Sequence, residues 1–273
     1  MESNMPFIRN LASSDRKTRA SALESLRTFL SASATASRLS HLDNMKLWKG
    51  LYYSLWMCDK PIPQQNLCAE LAALIDVLPD AAVAPWLAAF WETMGREWAG
   101  IDVLRLEKFM LLVRRVLGAS FAWICDVLPN VTERGGSEGD EQKETKKTRR
   151  RRDRIDALLE NLSSWPLETE DNLSRVPVGL RLHVLDIWVD EAEKLGLLDP
   201  EKTGEAGRQL VDRLGLLVEA QTRSTCKPVR QRAKEVLADD RLPWNADETV
   251  DDEVGKSVKN DSGDKDSWDG FDD

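Results

Sequence analysis

Two histidines, four cysteines and several paired carboxylates are the side chains of this 273-residue sequence that could make or break bonds or hold a metal. His41 lies in a polar stretch and His183 in an apolar one. Neither has a Cys or His neighbour at ligand spacing, so a zinc site of ordinary composition is not expected. Cys58, Cys68, Cys125 and Cys226 form no CxxC pair, and reduced thiols of an intracellular protein are expected. Asp239-Asp240 and Asp251-Asp252-Glu253 could hold a divalent cation, but they sit where apolar periodicity fades, and solvated charge is the better reading. Lys49-Gly50 and Gly95-Arg96 lack the surrounding glycines of a phosphate loop, and Gly118-Ala119-Ser120 is not a nucleophile elbow. No catalytic, metal-binding or cofactor-binding residue is assigned, no cofactor is implied, and a non-enzymatic protein is expected.

The remaining chemistry is recognition by charge and by aromatic surface. Lys146-Lys147-Thr148-Arg149-Arg150-Arg151-Arg152 is a dense cationic tract. Lys146, Lys147, Arg149, Arg150, Arg151 and Arg152 fit either a nuclear-import signal or a clamp on RNA phosphates, the alternative being a solvated loop. Arg105, Lys108, Arg114 and Arg115 stud one helical stretch and could face phosphates or acidic partner residues. Salt bridges to Asp102, Glu107 and neighbouring helices are the competing reading. The segment from Lys46 to Met57 carries Trp48, Tyr52, Tyr53 and Trp56, too many aromatics for a helix with one buried side. Core packing is expected for most of them, with any exposed remainder a partner site. The terminal Trp268 and Phe271, set among aspartates, form either a docking peptide for a basic partner or a solvated tail.

The elements that position these groups read as helices. Helix formers dominate and β-branched alternation is scarce, which points to an all-α fold. Ala22, Leu23, Leu26 and Leu30 make one helical face with Asp15 as cap, and Asp43 is expected to cap the next helix. Pro61 and Pro63 open another helix, which Pro79 stops. Helices follow over residues 81–98, from Gly100 through Leu117 with Leu104 and Phe109 among its apolar positions, and over a short stretch at 119–128. Beyond a charged interruption, Ile155 to Leu162, Val178 to Leu195, 204–222 and 228–238 complete the series. Short helices with Pro- or Gly-marked turns suggest antiparallel helix pairs stacked as a HEAT-like or armadillo-like helical repeat. Arg19-x-x-Ala22-x-x-x-Leu26 and Arg230-x-x-Ala233-x-x-x-Leu237 share a spacing that supports internal repetition.

Net charge is −9 but unevenly spread, with 4 basic and 13 acidic side chains in residues 239–273. Four segments are expected: N-terminal helical repeats (1–129), a flexible charged insertion (130–153), C-terminal helical repeats (154–238) and a disordered acidic tail (239–273). No signal peptide or membrane-spanning run is expected, and the protein reads as soluble.

Three blocks carry a resemblance. They are Phe7-Ile8-Arg9-Asn10-Leu11 running to Arg19, Lys46-Leu47-Trp48-Lys49-Gly50-Leu51-Tyr52-Tyr53 running to Pro61, and Trp98-Ala99-Gly100-Ile101-Asp102 running to Phe109 and on through Arg114-Arg115-Val116-Leu117. In their order and spacing they resemble the nucleolar ribosomal RNA processing protein 1 family (Nop52-like). The resemblance implies a helical-repeat protein of nucleus and nucleolus that serves precursor rRNA processing as a scaffold of the early large-subunit (pre-60S) precursor. It implies as partners a Brix-domain protein, its small basic companion and a β-propeller factor, with precursor rRNA a further candidate and no membrane or small-molecule substrate. The contact candidates are Arg16, Lys17, Arg19, Asp59, Lys60, Arg105, Lys108, Arg114 and Arg115, with Asp102 as a helix cap. The alternative is a HEAT-like protein-binding adaptor in nuclear transport or signalling.

Overall fold

The computed structural model describes residues 6–128 and 141–245. Among them lie eleven α-helices and no strand. The order is α1 (Pro6–Leu11), α2 (Arg16–Ser31), α3 (Ser33–Ala36), α4 (His41–Trp56), α5 (Pro61–Ala72), α6 (Asp80–Glu97), α7 (Val103–Cys125), α8 (Glu141–Ser164), α9 (Val178–Lys194), α10 (Pro200–Gln221) and α11 (Lys227–Leu237). The fold is all-α. Packing follows two rows: α4 on α6, α6 on α8, α8 on α10; and α5 on α7, α7 on α9, α9 on α11. That order is compatible with helix pairs stacked one after another. A single apolar cluster runs from Leu11 to Leu242, with Trp48, Trp86, Trp91 and Trp188 almost completely buried.

Local signals place most boundaries. Asp15 caps α2 by accepting from Thr18 N at 2.8 Å. Pro61 starts α5 at a position whose amide would be unpaired anyway. The cap of α4 is Ser40 rather than Asp43, which sits at the third helical position and completes a capping box. Pro79 ends the turn after α5 and is itself the residue from which α6 springs.

Three expectations are corrected. No separate helix covers 119–128, because α7 continues unbroken to Cys125. Leu117, Phe121 and Ile124 are all fully buried there, and burial outweighs the cost of about 1 kcal/mol for Gly118 in a helix. The second half of the stretch expected to be flexible is helical from Glu141 onward, the basic tract included. The repulsion within that tract is relieved by fixed acceptors: Arg150 on Asp80 at 2.5 Å, Arg151 on the Val127 carbonyl at 2.9 Å, and Arg154 on Asp80 at 2.7 Å. Residues 239–245 are packed rather than disordered, with Leu242 buried and Asn245 donating to the Leu237 carbonyl at 2.8 Å. The rest of the insertion and tail expectations, including Trp268 and Phe271, lies outside the described residues.

The shared Arg-x-x-Ala spacing has a structural counterpart. Arg19 Nη1 donates to the Ser13 and Ser14 carbonyls, and Arg230 Nη1 to those of Ser224 and Thr225. Each arginine thus ties the loop before its helix to the first turn, while Ala22 and Ala233 are buried one turn on.

In the second half of the chain, Arg181 is fully buried and holds α9 to the loop before it and to α10. It donates to the Glu168 carbonyl at 2.8 Å, to Gln221 Oε1 at 2.7 Å and to Glu168 Oε2 at 3.1 Å. Removing one member leaves a buried, uncompensated charge. Arg181→Leu is expected to lower stability by about 3–5 kcal/mol in urea denaturation, with part recovered when Glu168→Gln is added. A loss below about 1 kcal/mol would contradict this role.

Candidate partner-binding surface

The C-terminal end of α4 is where the three sequence blocks meet. A helix end leaves its last carbonyls without intrahelical partners. Lys108 of α7 donates to the carbonyls of Trp56 at 2.8 Å and Cys58 at 2.9 Å, and Arg19 of α2 to that of Met57 at 3.3 Å. Tyr52 stacks on Phe109 with ring centroids 4.6 Å apart, and the Arg105 guanidinium lies 4.8 Å from the Trp56 ring. Within α4, Gly50 admits α1 closely: a Cβ there would stand 3.2 Å from Leu11 Cδ1 and 3.4 Å from the Ile8 carbonyl.

This arrangement divides the predicted contacts. Arg19 and Lys108 are buried and engaged, so neither is a free contact residue. Burial pulls the Lys108 ammonium below its ordinary pKa, against the nearby Asp59 at 3.9 Å. Arg105 pairs with Asp102 at 2.5 Å, and Asp102 caps α7 by accepting from Leu104 N and Arg105 N. Arg114 clamps α7 to α9 through Glu191 at 2.6 Å and Asp190 at 2.7 Å. Arg16, Lys17, Asp59, Lys60 and Arg115 remain exposed. Arg16, Asp59 and Lys60 line a cleft of about 400 Å³ together with Arg19, Leu67 and Glu70. Charge alone therefore does not separate the two cations that seal the helix end from those left exposed.

Apolar contact candidates were missed. Val103 is 80% exposed, Leu104 90% and Ile62 72%. Leu104 was expected on the apolar face, yet it lies about 140° round the helix from buried Phe109. Strict angular bookkeeping from Phe109 would have found it. Of the aromatic segment, Trp48 and Tyr52 are core, Trp56 is half-buried, and only Tyr53 is exposed.

The basic tract divides in the same way. Arg150 and Arg151 are tied to Asp80 and Val127, whereas Lys146, Lys147, Arg149 and Arg152 are exposed. Arg149 has only Asp153 at 3.7 Å, one turn on, among the described residues. Burial alone would push the Asp80 carboxyl up, but Arg150 and Arg154 together hold it below the usual carboxylate range.

The nucleophile candidates are quiet. Burial pushes the Cys68 thiol up to about 12 and that of Cys125 up to about 11, which suppresses the reactive thiolate. His41 is exposed beside Glu92 at 2.8 Å. His183 is largely buried, its Nε2 2.9 Å from the Met110 carbonyl, and burial lowers its pKa from 6.5. Among the described residues no group of three or more His, Cys, Asp or Glu is placed to hold a metal ion, and no helix is long and apolar enough to cross a membrane.

Comparison with known proteins adds lineage to this geometry. A family model described as nucleolar protein, Nop52, matches residues 2–270. The chain is 35% identical over 205 residues to ribosomal RNA processing protein 1 homolog A of Mus musculus, covering 74% of this chain and 36% of that protein. It is 34% identical over 193 residues to the homolog B of Homo sapiens, covering 70% of this chain and 22% of that protein. To the Dictyostelium discoideum homolog it is 24% identical over 245 residues, covering 89% and 47%. The chain thus spans less than half the length of each of these relatives.

Two outcomes follow from the engaged and free groups. Arg114→Glu is expected to cost about 1–2 kcal/mol, reduced by its partial exposure, while Arg115→Glu stays within about 0.5 kcal/mol of the parent. Equal effects in thermal denaturation would refute the clamp. For His183 the fold prefers the neutral ring, so its contribution is complete above pH 6.5 and is lost as pH falls from 6.5 through the lowered folded value. Denaturation midpoints of His183→Gln should be flatter over that window than those of the parent, and parallel curves would contradict it.

Proposed function

The chain belongs to the Nop52 family of nucleolar proteins, and on that premise we propose that it acts in ribosome biogenesis as a non-enzymatic scaffold of the early large-subunit precursor. The observation that carries the reading is the meeting of three separate sequence blocks at one end of α4, with exposed charge and apolar surface around a fixed core. A surface of that kind suits recognition: buried side chains hold the shape, and a few exposed anchors supply contact. Arg16, Lys60 and Arg115 offer steering charge, and Ile62, Val103 and Leu104 offer apolar contact. The partners implied by the family resemblance are a Brix-domain protein, its basic companion and a β-propeller factor, with precursor rRNA a further candidate.

Residence in nucleus and nucleolus is part of the same proposal. Lys146, Lys147, Arg149 and Arg152 are exposed on α8 without the inward acceptors that hold Arg150 and Arg151, and an import carrier or an RNA phosphate can reach them. Because Arg150 and Arg151 brace the helix, a test that removes all four arginines would confuse addressing with folding.

The scaffold reading is tested by sedimentation of tagged protein from cells. The combined Arg16→Glu, Lys60→Glu and Leu104→Asp variant is expected to keep its helical circular dichroism and to leave the large-subunit precursor fractions. Unchanged co-sedimentation would reject this surface, and a parent protein absent from those fractions would reject the scaffold function itself.

A further inference from the structure

The row α4, α6, α8, α10 ends at α10, which packs on α8 and on α11 and carries the exposed Leu216 on its outer face. Two cavities open on that face. One, of about 480 Å³, lies between α10 and the segment after α11, lined by Asp212, Leu216, Glu219, Leu237 and Trp244. The other, of about 380 Å³, lies between α10 and α8, lined by Leu159, Glu160, Arg213, Leu216 and Leu217. Leu216 belongs to both and is 62% exposed, an apolar ridge between two apolar hollows.

The far wall of the first cavity is rigid. Trp244 is 37% exposed, yet its Nε1 donates to the Leu237 carbonyl at 3.0 Å. Its ring lies against Gly215, where a Cβ would stand 2.6 Å from Trp244 Cη2. A half-exposed indole fixed by a hydrogen bond and by a glycine beneath it is a preorganised contact surface.

The rim is acidic. Asp156, Glu160, Asp212 and Glu219 surround the two hollows, and Arg213 is the one cation among their lining residues. Arg213 is paired with Asp156 at 2.7 Å, and Glu219 has Arg223 at 3.9 Å. Asp212 and Glu160 are exposed and have no ion pair among the described residues. Two carboxylates without an ion pair, Glu160 and Asp212, and a third, Glu219, with only a distant one to Arg223 surround a Leu/Trp floor and call for an occupant with ammonium or guanidinium groups flanking an apolar face. The chain's own continuation after Asn245 has the wrong sign, since Asp247, Glu248, Asp251, Asp252 and Glu253 follow at once.

We infer that this end of the helix array is a docking groove for a basic amphipathic segment of a partner protein, whose apolar side chains straddle Leu216 while its lysines or arginines meet Glu160, Asp212 and Glu219. The mode is helix-in-groove recognition, with anchors one turn apart. The site lies away from the α4 end and does not depend on the scaffold reading.

The test uses the purified full chain and a labelled synthetic peptide of Leu and Lys, with Leu at i, i+3, i+4 and i+7, followed by fluorescence anisotropy. A Leu/Glu peptide of the same pattern is the comparison. The parent is expected to bind the Leu/Lys peptide. Leu216→Asp, at an exposed position that leaves the helical signal intact, is expected to weaken binding at least about tenfold. Glu160→Lys with Asp212→Lys should weaken it similarly and gain affinity for the Leu/Glu peptide. Glu24→Lys, on the exposed face of α2, should leave binding unchanged. Equal binding by parent and Leu216→Asp would overturn the groove, and an equal loss in Glu24→Lys would reduce it to diffuse charge. Self-association of the parent that Leu216→Asp abolishes would assign the groove to a second copy instead. Tighter peptide binding in Trp268→Ala with Phe271→Ala would assign it to the chain's own tail. Either result overturns the partner proposal.

Discussion

The unpaired carbonyls at the end of α4 are the constraint on which the first half of the molecule turns. Trp56, Met57 and Cys58 close that helix between α2 and α7, and their backbone oxygens accept from side chains of both. A buried carbonyl left without a donor costs about 1–3 kcal/mol, so a cation with several N–H groups is the economical solution. Lys108 and Arg19 supply it from two different helices. Because each reaches the same helix end, the satisfaction of backbone polarity also fixes the angles at which α2 and α7 approach. The aromatic contacts of Tyr52, Trp56 and Phe109 then fill the space that those angles define.

The same logic recurs along the array with different chemistry. Arg181 joins α9 to its preceding loop and to α10, Arg114 joins α7 to α9, and Arg154 joins α8 to α6 through Asp80 and to α7 through the Trp123 carbonyl. Arginine suits these places because its planar fork serves several acceptors at once and keeps its charge when buried. The result is a partition of the cations into those that hold helices together and those that face solvent. The distinction matters for function, since only the second group can meet a partner without unfolding the first.

The exposed surface is likewise partitioned by where the helix rows begin and end. A helix inside a stack has both flanks covered, whereas a terminal helix leaves an apolar edge that must be capped or used. At the α10 end the edge is trimmed by Trp244 and ringed by carboxylates. Near the start of α7, Val103 and Leu104 stand out into solvent beyond the capped turn. Isolated apolar side chains are ordinary on a surface, whereas adjacent ones are less so.

How much of this was legible in the sequence depends on the range of the interaction. Periodicity set the all-α class and located α2, α9 and α11 to within a residue or two, because amphipathic spacing and Pro or Asp caps act within one turn, whereas α5 stops at Ala72, short of the expected stop at Pro79. The three family blocks named segments that pack together at the end of α4, and the repeated Arg-x-x-Ala spacing named a device that both helices use. The sequence did not reveal that Ser40 rather than Asp43 is the cap, that α7 runs through Gly118, or that α8 begins within the charged stretch. The first is a choice within one capping box, but the other two rest on packing against distant partners: Asp80 is 70 residues from Arg150 in the chain. Nor could spacing alone separate Lys108 from Arg115, which lie on the same helix and carry the same charge. One points at an open helix end and the other at water, and that difference exists only once α4 and α7 have packed, because tertiary burial decides which charge must find a partner inside the protein.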